Sequence, residues 1–131
     1  MIIYPPTKLY IKESNIHGYG VFVKEKILQN ELIEVVPLLD LNIPKGEVSG
    51  CLLDYRFNWP QGTDPDIQVV GWGYASLYNH SETPNAYWKS NLENFTFEFY
   101  ALKDIDIDEE ILVYYGDVNY WQDGRDHIKI L

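Results

Sequence analysis

Cysteine, basic side chains and long apolar runs are all scarce in this chain of 131 residues. Cys51 is its single cysteine, so the chain cannot form an internal disulfide or its own cysteine zinc cluster. Lys and Arg number 10 against 20 Asp and Glu, and the formal charge of −10 opposes binding to nucleic acid or to an anionic membrane. No stretch approaches the ~18 apolar residues of a transmembrane helix. The excess of negative charge favours a cationic partner.

The first ten residues also lack the basic segment and apolar run of a secretory leader. We therefore expect a soluble intracellular protein of the cytoplasm or nucleus, with a secreted effector as the alternative. A chain of this length can bury roughly two-thirds of its unfolded surface without a metal or a disulfide. No repeat or flexible linker divides it, which predicts a single domain over residues 1–131.

Short runs rich in Val, Ile, Leu and Phe predict a mostly β domain of several short sheets with little helix. Phe95, Phe97 and Phe99 alternate with polar residues, so we expect them on one face of a strand. Residues 58–66 contain two prolines and a glycine, which predicts a loop. Two turns of helix are expected over 71–79 and one over 119–122. Further strands are predicted at 9–12, 21–23, 32–36 and 111–114.

Three separated motifs carry the chemistry: HGYGVF at 17–22, YNHSETPN at 78–85 and DEEILVYYGD at 108–117. In this order they resemble the GxG, NHSxxPN and EExxxxYG motifs of the SET-domain protein lysine methyltransferases. The resemblance covers about residues 9–121, and three ordered motifs are far more specific than a lone GxG. LDY at 53–55 and YW at 120–121 are similar to signatures of the smallest members, particularly the minimal viral SET domain that methylates histone H3.

The resemblance implies the SET (β-clip) fold, without a pre-SET or zinc-binding post-SET region. It also implies a pseudoknot near the active site, in which the segment around Asn79 and the segment around Tyr115 pass through each other. S-adenosyl-L-methionine is the implied cofactor.

The glycine motif is the first candidate cofactor site. Gly18 and Gly20 carry no Cβ, which lets a ligand approach the main chain closely. By resemblance, the loop from His17 to Gly20 contacts the methionine part of the cofactor, chiefly through backbone groups near Tyr19. An isolated GxG would more often be an ordinary hairpin turn.

The second motif supplies the other candidate cofactor residues. Asn79 offers one acceptor and two donors, which suits the amino-acid group or adenine edge of the cofactor. For His80 a structural role is the alternative, and residues 79–81 also form a glycosylation sequon that would need a secretory context. Glu82 stands where many relatives carry a cysteine. By resemblance, Trp121 covers the adenine.

Tyr115 is the main catalytic candidate. Methyl transfer to a lysine amine is an in-line displacement, so the amine must be neutral and aligned. A tyrosine hydroxyl, with a pKa near ~10, is a poor base at pH 7 but a good positioner. We therefore assign Tyr115 to orientation and electrostatic stabilisation, with a core tyrosine as the alternative.

Tyr55 and Tyr120 are candidate walls of a lysine channel, because aromatic faces accommodate cations. Core packing is the alternative for both of them and for Trp121. The spacing before Tyr120 differs from that of the viral domain. Val113, where many relatives carry Phe or Tyr, leaves the number of methyl groups undetermined, and Tyr114 or Trp88 could shape the same space.

No metal site is expected. The acidic run at 104–110 lacks the glycine that a calcium loop needs at its sixth position, where Glu109 stands. We interpret it as a solvated turn. His17, His80 and His127 have no metal-ligand spacing, and Cys51 is interpreted as structural.

The function predicted is S-adenosylmethionine-dependent methylation of a lysine in a basic peptide such as a histone tail. The excess negative charge would steer such a substrate. One alternative is a non-catalytic module of the same fold that binds lysine-containing peptides. The other is a sugar-related or antifreeze-type β-clip binding domain. The site could be closed by the C-terminal segment or by a second copy, so a homodimer is a hypothesis.

Overall fold

The computed structural model describes residues 6–43, 47–49, 52–60 and 67–115, and short strands are the main regular structure in these ranges. The prediction of a mostly β fold with little helix is confirmed. No helix in the described residues is long and apolar enough to cross a bilayer. The elements in chain order are β1 Leu9–Glu13, β2 Tyr19–Val23, β3 Leu32–Asp40, α1 Leu52–Tyr55, β4 Phe57–Asn58, β5 Gln68–Gly71, a 3-10 turn Ala75–Leu77, β6 Asn79–His80, β7 Ala86–Asn91, β8 Thr96–Ala101 and β9 Leu112–Val113.

The strands form several small sheets, as expected. β1 and β2 make an antiparallel hairpin, and a five-stranded antiparallel sheet has the order β4-β5-β3-β8-β7. β6 and β9 form a separate parallel pair. The five-stranded sheet supports the core, and the other two sheets carry the sequence motifs.

The phenylalanine alternation is confirmed in part. Phe97 and Phe99 are fully buried on one face of β8, where their rings pack edge to face at 6.4 Å. Phe95 lies before the strand, in a turn with a positive φ of 55°. Its ring packs against Trp59 at 4.7 Å, so it joins the core from the turn.

The helix expected over 71–79 is wrong. Gly71 ends β5, Asn79 begins β6, and only Ala75–Leu77 forms a short 3-10 turn between them. Gly73 has a φ of 68°, and a Cβ there would lie 2.9 Å from a carboxylate oxygen of Glu34. This left-handed conformation and the close approach of the carboxylate prevent a helix from running through the segment.

Other boundaries also differ from the predictions. β3 continues past Pro37, whose carbonyl accepts the Trp72 N–H at 3.1 Å, and its far end pairs with β5. Asn58, assigned to a loop, belongs to β4, and the peptide bond between Trp59 and Pro60 is cis. Strands β5 and β7 and helix α1 were not predicted. The rest of the loop and the turn expected at 119–122 lie outside the described residues.

The parallel pair brings the second and third motifs together. Val113 accepts the N–H of Ser81 and Leu112 accepts the N–H of Asn85, both at 3.0 Å. The Asn85 side chain accepts the Leu112 N–H at 2.8 Å and donates to the Glu110 carbonyl at 2.9 Å. The segment 79–85 therefore holds β9 through several bonds. This is the proximity that a pseudoknot requires, while the threading itself stays a prediction.

Candidate active site

Two glycines shape the β1–β2 hairpin, Gly18 in the turn and Gly20 in β2. Gly18 has a φ of 47°, its carbonyl accepts the Ser14 N–H at 2.8 Å, and a Cβ there would meet no atom within 4 Å. Gly20 is crowded instead, because a Cβ would lie 2.9 Å from the carboxylate carbon of Glu110 and 3.1 Å from the Ser14 Cβ. Backbone conformation thus requires the first glycine, and close packing requires the second.

Glu110 joins the glycine loop to the Asn-His-Ser motif. Ser14 Oγ donates to both carboxylate oxygens, at 2.8 and 3.0 Å, and Asn79 Nδ2 donates to Oε2 at 2.8 Å. Asn79 Nδ2 also lies within hydrogen-bond distance of the backbone carbonyls of His17 and Tyr19, at 3.2 and 3.4 Å. Three segments that are far apart in sequence therefore meet at one buried amide.

His80 is fully buried, and both of its ring nitrogens have partners. Nδ1 accepts the backbone N–H of Tyr115 at 3.0 Å, and Nε2 lies 3.3 Å from Glu82 Oε1. Because Nδ1 is an acceptor, the neutral ring carries its proton on Nε2, a tautomer assigned here from the hydrogen bonds. Burial lowers the pKa of His80, although Glu82 opposes this effect. A neutral His80 therefore fixes the backbone at Tyr115.

Tyr115 is also held through its side chain. Its hydroxyl donates to the backbone carbonyl of Tyr78 at 2.6 Å, and its ring lies 5.2 Å from that of His80. The hydroxyl proton is engaged by a carbonyl, so the position of the hydroxyl group is fixed. This arrangement fits a positioning group better than a base.

Both the sequence and the fold of this chain are similar to those of known proteins. The family profile described as SET domain matches residues 18–116. The chain belongs to the SET-domain family. A histone-lysine N-methyltransferase of Schizosaccharomyces pombe, described as H3 lysine-37 specific, is 32% identical over 118 residues, which are 88% of this chain and 78% of that protein.

Two further matches cover very different shares of the other protein. An H3 lysine-4 specific histone-lysine N-methyltransferase of Aspergillus oryzae is 32% identical over 127 residues, which cover 90% of this chain but 10% of the fungal protein. A crystal structure from Plasmodium falciparum, described as a histone methyltransferase, has a TM-score of 0.67 and 36% identity. That match covers 83% of this chain and 93% of the parasite chain.

The remaining predicted residues of the SET domain are Tyr55 and several residues beyond the described ranges. Tyr55 ends α1 with its side chain partly exposed, and its carbonyl accepts Ser76 Oγ at 2.9 Å. Ser76 belongs to the 3-10 turn that leads to Tyr78. Cys51, Gly116, Tyr120, Trp121 and His127 fall outside the described residues.

Residues considered for the methyl-group space differ in their surroundings. Val113 is buried in the core, whereas Tyr114 is 44% exposed and lies 5.4 Å from the His80 ring. Trp88 is half-buried and packs edge to face on Phe57 at 5.5 Å. Tyr114 and Trp88 are therefore more exposed to solvent than Val113.

The acidic side chains at 104–109 form a solvated turn, as predicted, whereas Glu110 at the end of the run is bonded to Ser14 and Asn79. Asp104, Asp106, Asp108 and Glu109 are all exposed, and Glu109 accepts the Asp106 N–H at 3.0 Å. Asp104 caps the N–H of Gln29 at 2.8 Å. Within the described ranges, no three His, Cys, Asp or Glu residues are grouped so that they could hold a metal ion.

Sequence reasoning missed several polar residues that build the SET-domain site. Asn85 brackets β9, Ser14 supports Glu110, and Glu34 is a fully buried carboxyl bonded to Tyr78. Glu34 had a visible signal, because it is the single charged residue between positions 32 and 39 of an otherwise apolar run. Ser14 had none, since its partner is 96 residues away.

Proposed function

We propose that this SET domain is a protein-lysine N-methyltransferase that uses S-adenosyl-L-methionine and acts on a basic, histone-like peptide. The observation that carries the proposal is the double anchoring of Tyr115, through its hydroxyl to Tyr78 and through its backbone to His80. The same short segment, at Asn79, bonds to the glycine loop. The candidate catalytic residue and the candidate cofactor loop are therefore parts of one connected structure.

The residues around the glycine loop fit the amino-acid part of the cofactor. The Asn79 amide nitrogen is engaged by the protein, while no described residue donates to its side-chain oxygen. That oxygen can accept from an ammonium group, and the open space at Gly18 lets a ligand reach the backbone. Tyr19, which is 61% exposed, offers an aromatic face beside the same loop. We propose His17, Gly18, Tyr19, Gly20, Asn79, His80, Tyr115 and Trp121 as the cofactor-binding residues.

The protein's part in the reaction is mainly positioning. When bound, S-adenosylmethionine supplies a methyl group on a positively charged sulfur, which keeps the electron pair of the broken bond as the lysine nitrogen forms its bond to carbon. The Tyr115 oxygen is placed to accept a hydrogen bond from the amine and so to orient its lone pair. His80 has both nitrogens engaged and cannot serve as the base. The amine proton therefore leaves to water.

Tyr55 and Tyr120 are proposed as walls of the lysine channel.

A basic protein segment is the proposed substrate. The relatives from Schizosaccharomyces and Aspergillus are described as specific for lysines of histone H3. The formal charge of −10 would attract a lysine-rich tail and repel nucleic acid. A histone-like substrate places the activity in the nucleus or the cytoplasm, with a secreted effector as the alternative.

Three finer features remain part of this proposal. The single domain spans 1–131, with its SET core at about 9–121, and its pattern is that of the minimal viral SET domain. A homodimer, in which a second copy helps to close the site, is the third feature. Light scattering tests it, and a monomeric mass at working concentration would exclude it.

The test of the function is methylation of a histone and basic-peptide pool by the purified protein with labelled cofactor. We expect label on lysine in the basic peptides and none in acidic control peptides. An absence of label above background would overturn the proposal. Calorimetry with S-adenosylmethionine then tests the alternative of a non-catalytic peptide-binding module, which is favoured if the folded protein does not bind the cofactor.

A further inference from the structure

Glu34 is a fully buried carboxyl group that the proposed reaction does not use. It lies on β3 opposite Phe99 of β8, and its side chain has no solvent exposure. Oε1 accepts the Tyr78 hydroxyl at 2.6 Å, and Oε2 lies 3.4 Å from the Tyr74 N–H. No ion pair to Glu34 occurs in the described residues. Burying a carboxyl group without a cation is unfavourable, so its presence calls for an explanation.

The partner of Glu34 is the residue that holds Tyr115. The Tyr78 ring is buried and packs on Phe99 at 4.8 Å, with its hydroxyl bonded to Glu34. The backbone carbonyl of the same residue accepts the Tyr115 hydroxyl at 2.6 Å. Tyr78 therefore connects the carboxyl group in the core to the hydroxyl in the active site.

The surroundings leave room for this carboxyl group and for little else. Gly73 approaches it so closely that a Cβ would lie 2.9 Å from Oε2 and 3.1 Å from a methyl of Val36. A leucine at position 34 would leave the Tyr78 hydroxyl without its acceptor inside the core, and a buried hydroxyl without an acceptor is unfavourable. The ring would then shift toward another partner, and the carbonyl bonded to Tyr115 would move with it.

We propose that Glu34 is a positioning residue for methyl transfer: it fixes the Tyr78 side chain and, through the Tyr78 carbonyl, the hydroxyl of Tyr115. The inference rests on the proposed function for its kinetic consequence. Its structural part, the coupling of Glu34 to Tyr115, can be measured without any activity.

The kinetic test compares Glu34→Leu, Glu34→Gln and Tyr78→Phe in the full chain, at a temperature where each variant is folded. Glu34→Leu and Tyr78→Phe should each lower kcat by about tenfold or more, with peptide KM and cofactor Kd nearly unchanged, because misplacement affects the reacting geometry rather than binding. Glu34→Gln keeps an acceptor for Tyr78 and should retain most of kcat. The double variant Glu34→Leu/Tyr78→Phe should be no slower than the slower single variant.

The structural control is Thr96→Val. Thr96 is buried on β8 and its hydroxyl has no hydrogen-bond partner in the described part of the chain, so removing it changes the core without touching Tyr78. This variant should keep the wild-type kcat. Wild-type kcat in folded Tyr78→Phe, or a kcat of Glu34→Gln as low as that of Glu34→Leu, would overturn the inference.

The second measurement is NMR of protein with ring-labelled tyrosine, in which Tyr115→Phe identifies the Tyr115 signal. That signal should shift in Tyr78→Phe and Glu34→Leu and stay in place in Glu34→Gln and Thr96→Val. If the wild type proves inactive but the signal shifts as expected, the proposed function fails while the coupling stands. An unmoved Tyr115 signal in Tyr78→Phe would contradict the coupling itself.

Discussion

Replacing Glu34 by glutamine should stabilise the protein above neutral pH and leave its stability below pH 5 nearly unchanged. Burial raises the pKa of Glu34 from its usual 4.5 to about 7, and the hydrogen bonds from Tyr78 and Tyr74 oppose this increase only in part. The folded carboxyl group therefore binds its proton more tightly than the unfolded one. Its contribution to stability is present below about pH 4.5 and is lost as the pH rises through about 7.

The size of the effect follows from the two pKa values. Each unit of difference corresponds to roughly 1.4 kcal/mol, so the rise to about 7 corresponds to about 3 kcal/mol of stability lost by pH 8. Glutamine cannot ionise, yet it still offers an oxygen to the Tyr78 hydroxyl. We expect the free energy of unfolding of Glu34→Gln to rise relative to that of the wild type by up to about 3 kcal/mol between pH 5 and 8.

Urea unfolding at pH 5, 6, 7 and 8 measures this difference directly. Glu93→Gln, which removes the same charge from an exposed turn, is the matched control and should track the wild type. The titration of His80 occurs in both proteins and cancels in the difference. A gap between Glu34→Gln and the wild type that stays constant from pH 5 to 8 would refute the reasoning.

Three further predictions concern the site. Gly20→Ala should lower the free energy of unfolding in urea by about 1–3 kcal/mol, because its methyl group would displace the Glu110 carboxylate. An unchanged urea midpoint would contradict this packing. Asn85→Ala removes both side-chain hydrogen bonds to the β9 segment and should lower the free energy of unfolding by about 2–3 kcal/mol in the same assay. A loss below roughly 0.5 kcal/mol, which is typical of a surface substitution, would contradict this role of Asn85. Burial lowers the pKa of His80, so its contribution to stability is present above about pH 6.5 and is lost on acidification. In the Glu34→Gln background, stability should therefore fall from pH 7 to 5, and a flat profile would count against a neutral His80.

The parts of the fold that were predicted correctly depend on local pattern. Alternation along 96–100 identifies the buried faces of Phe97 and Phe99, because a strand turns every second side chain to the same side. The three motif segments at 17–20, 79–80 and 110–115 also meet in the structure, while their roles in binding and catalysis stay predictions. Predicting that these segments meet required the resemblance to the family, because no local pattern indicates which distant segments pair.

The failures have tertiary causes. Residues 71–79 have apolar and small residues that suit a helix, but Gly73 is forced into a positive φ beside the Glu34 carboxylate. Phe95 continues the alternation in sequence, yet it lies in the turn before β8, which begins at Thr96. The burial of Glu34 depends on Tyr78, 44 residues away, so periodicity alone suggests an exposed or misplaced charge.

The central claim is that Tyr115, held by Tyr78 and His80, positions a lysine amine for methyl transfer. The most direct measurement is mass spectrometry of histone H3 peptides after incubation with S-adenosylmethionine and either the wild type, Tyr115→Phe or Tyr87→Phe. Tyr87 lies on β7, where its ring stacks on that of Tyr100, and it is not among the proposed catalytic or cofactor-binding residues, so its variant controls for loss of a tyrosine hydroxyl. We predict methylated lysine with the wild type and Tyr87→Phe, and a rate about a hundredfold lower with Tyr115→Phe when each protein is saturated with cofactor. Equal rates for Tyr115→Phe and the wild type, or no methylated lysine at all, would contradict the account.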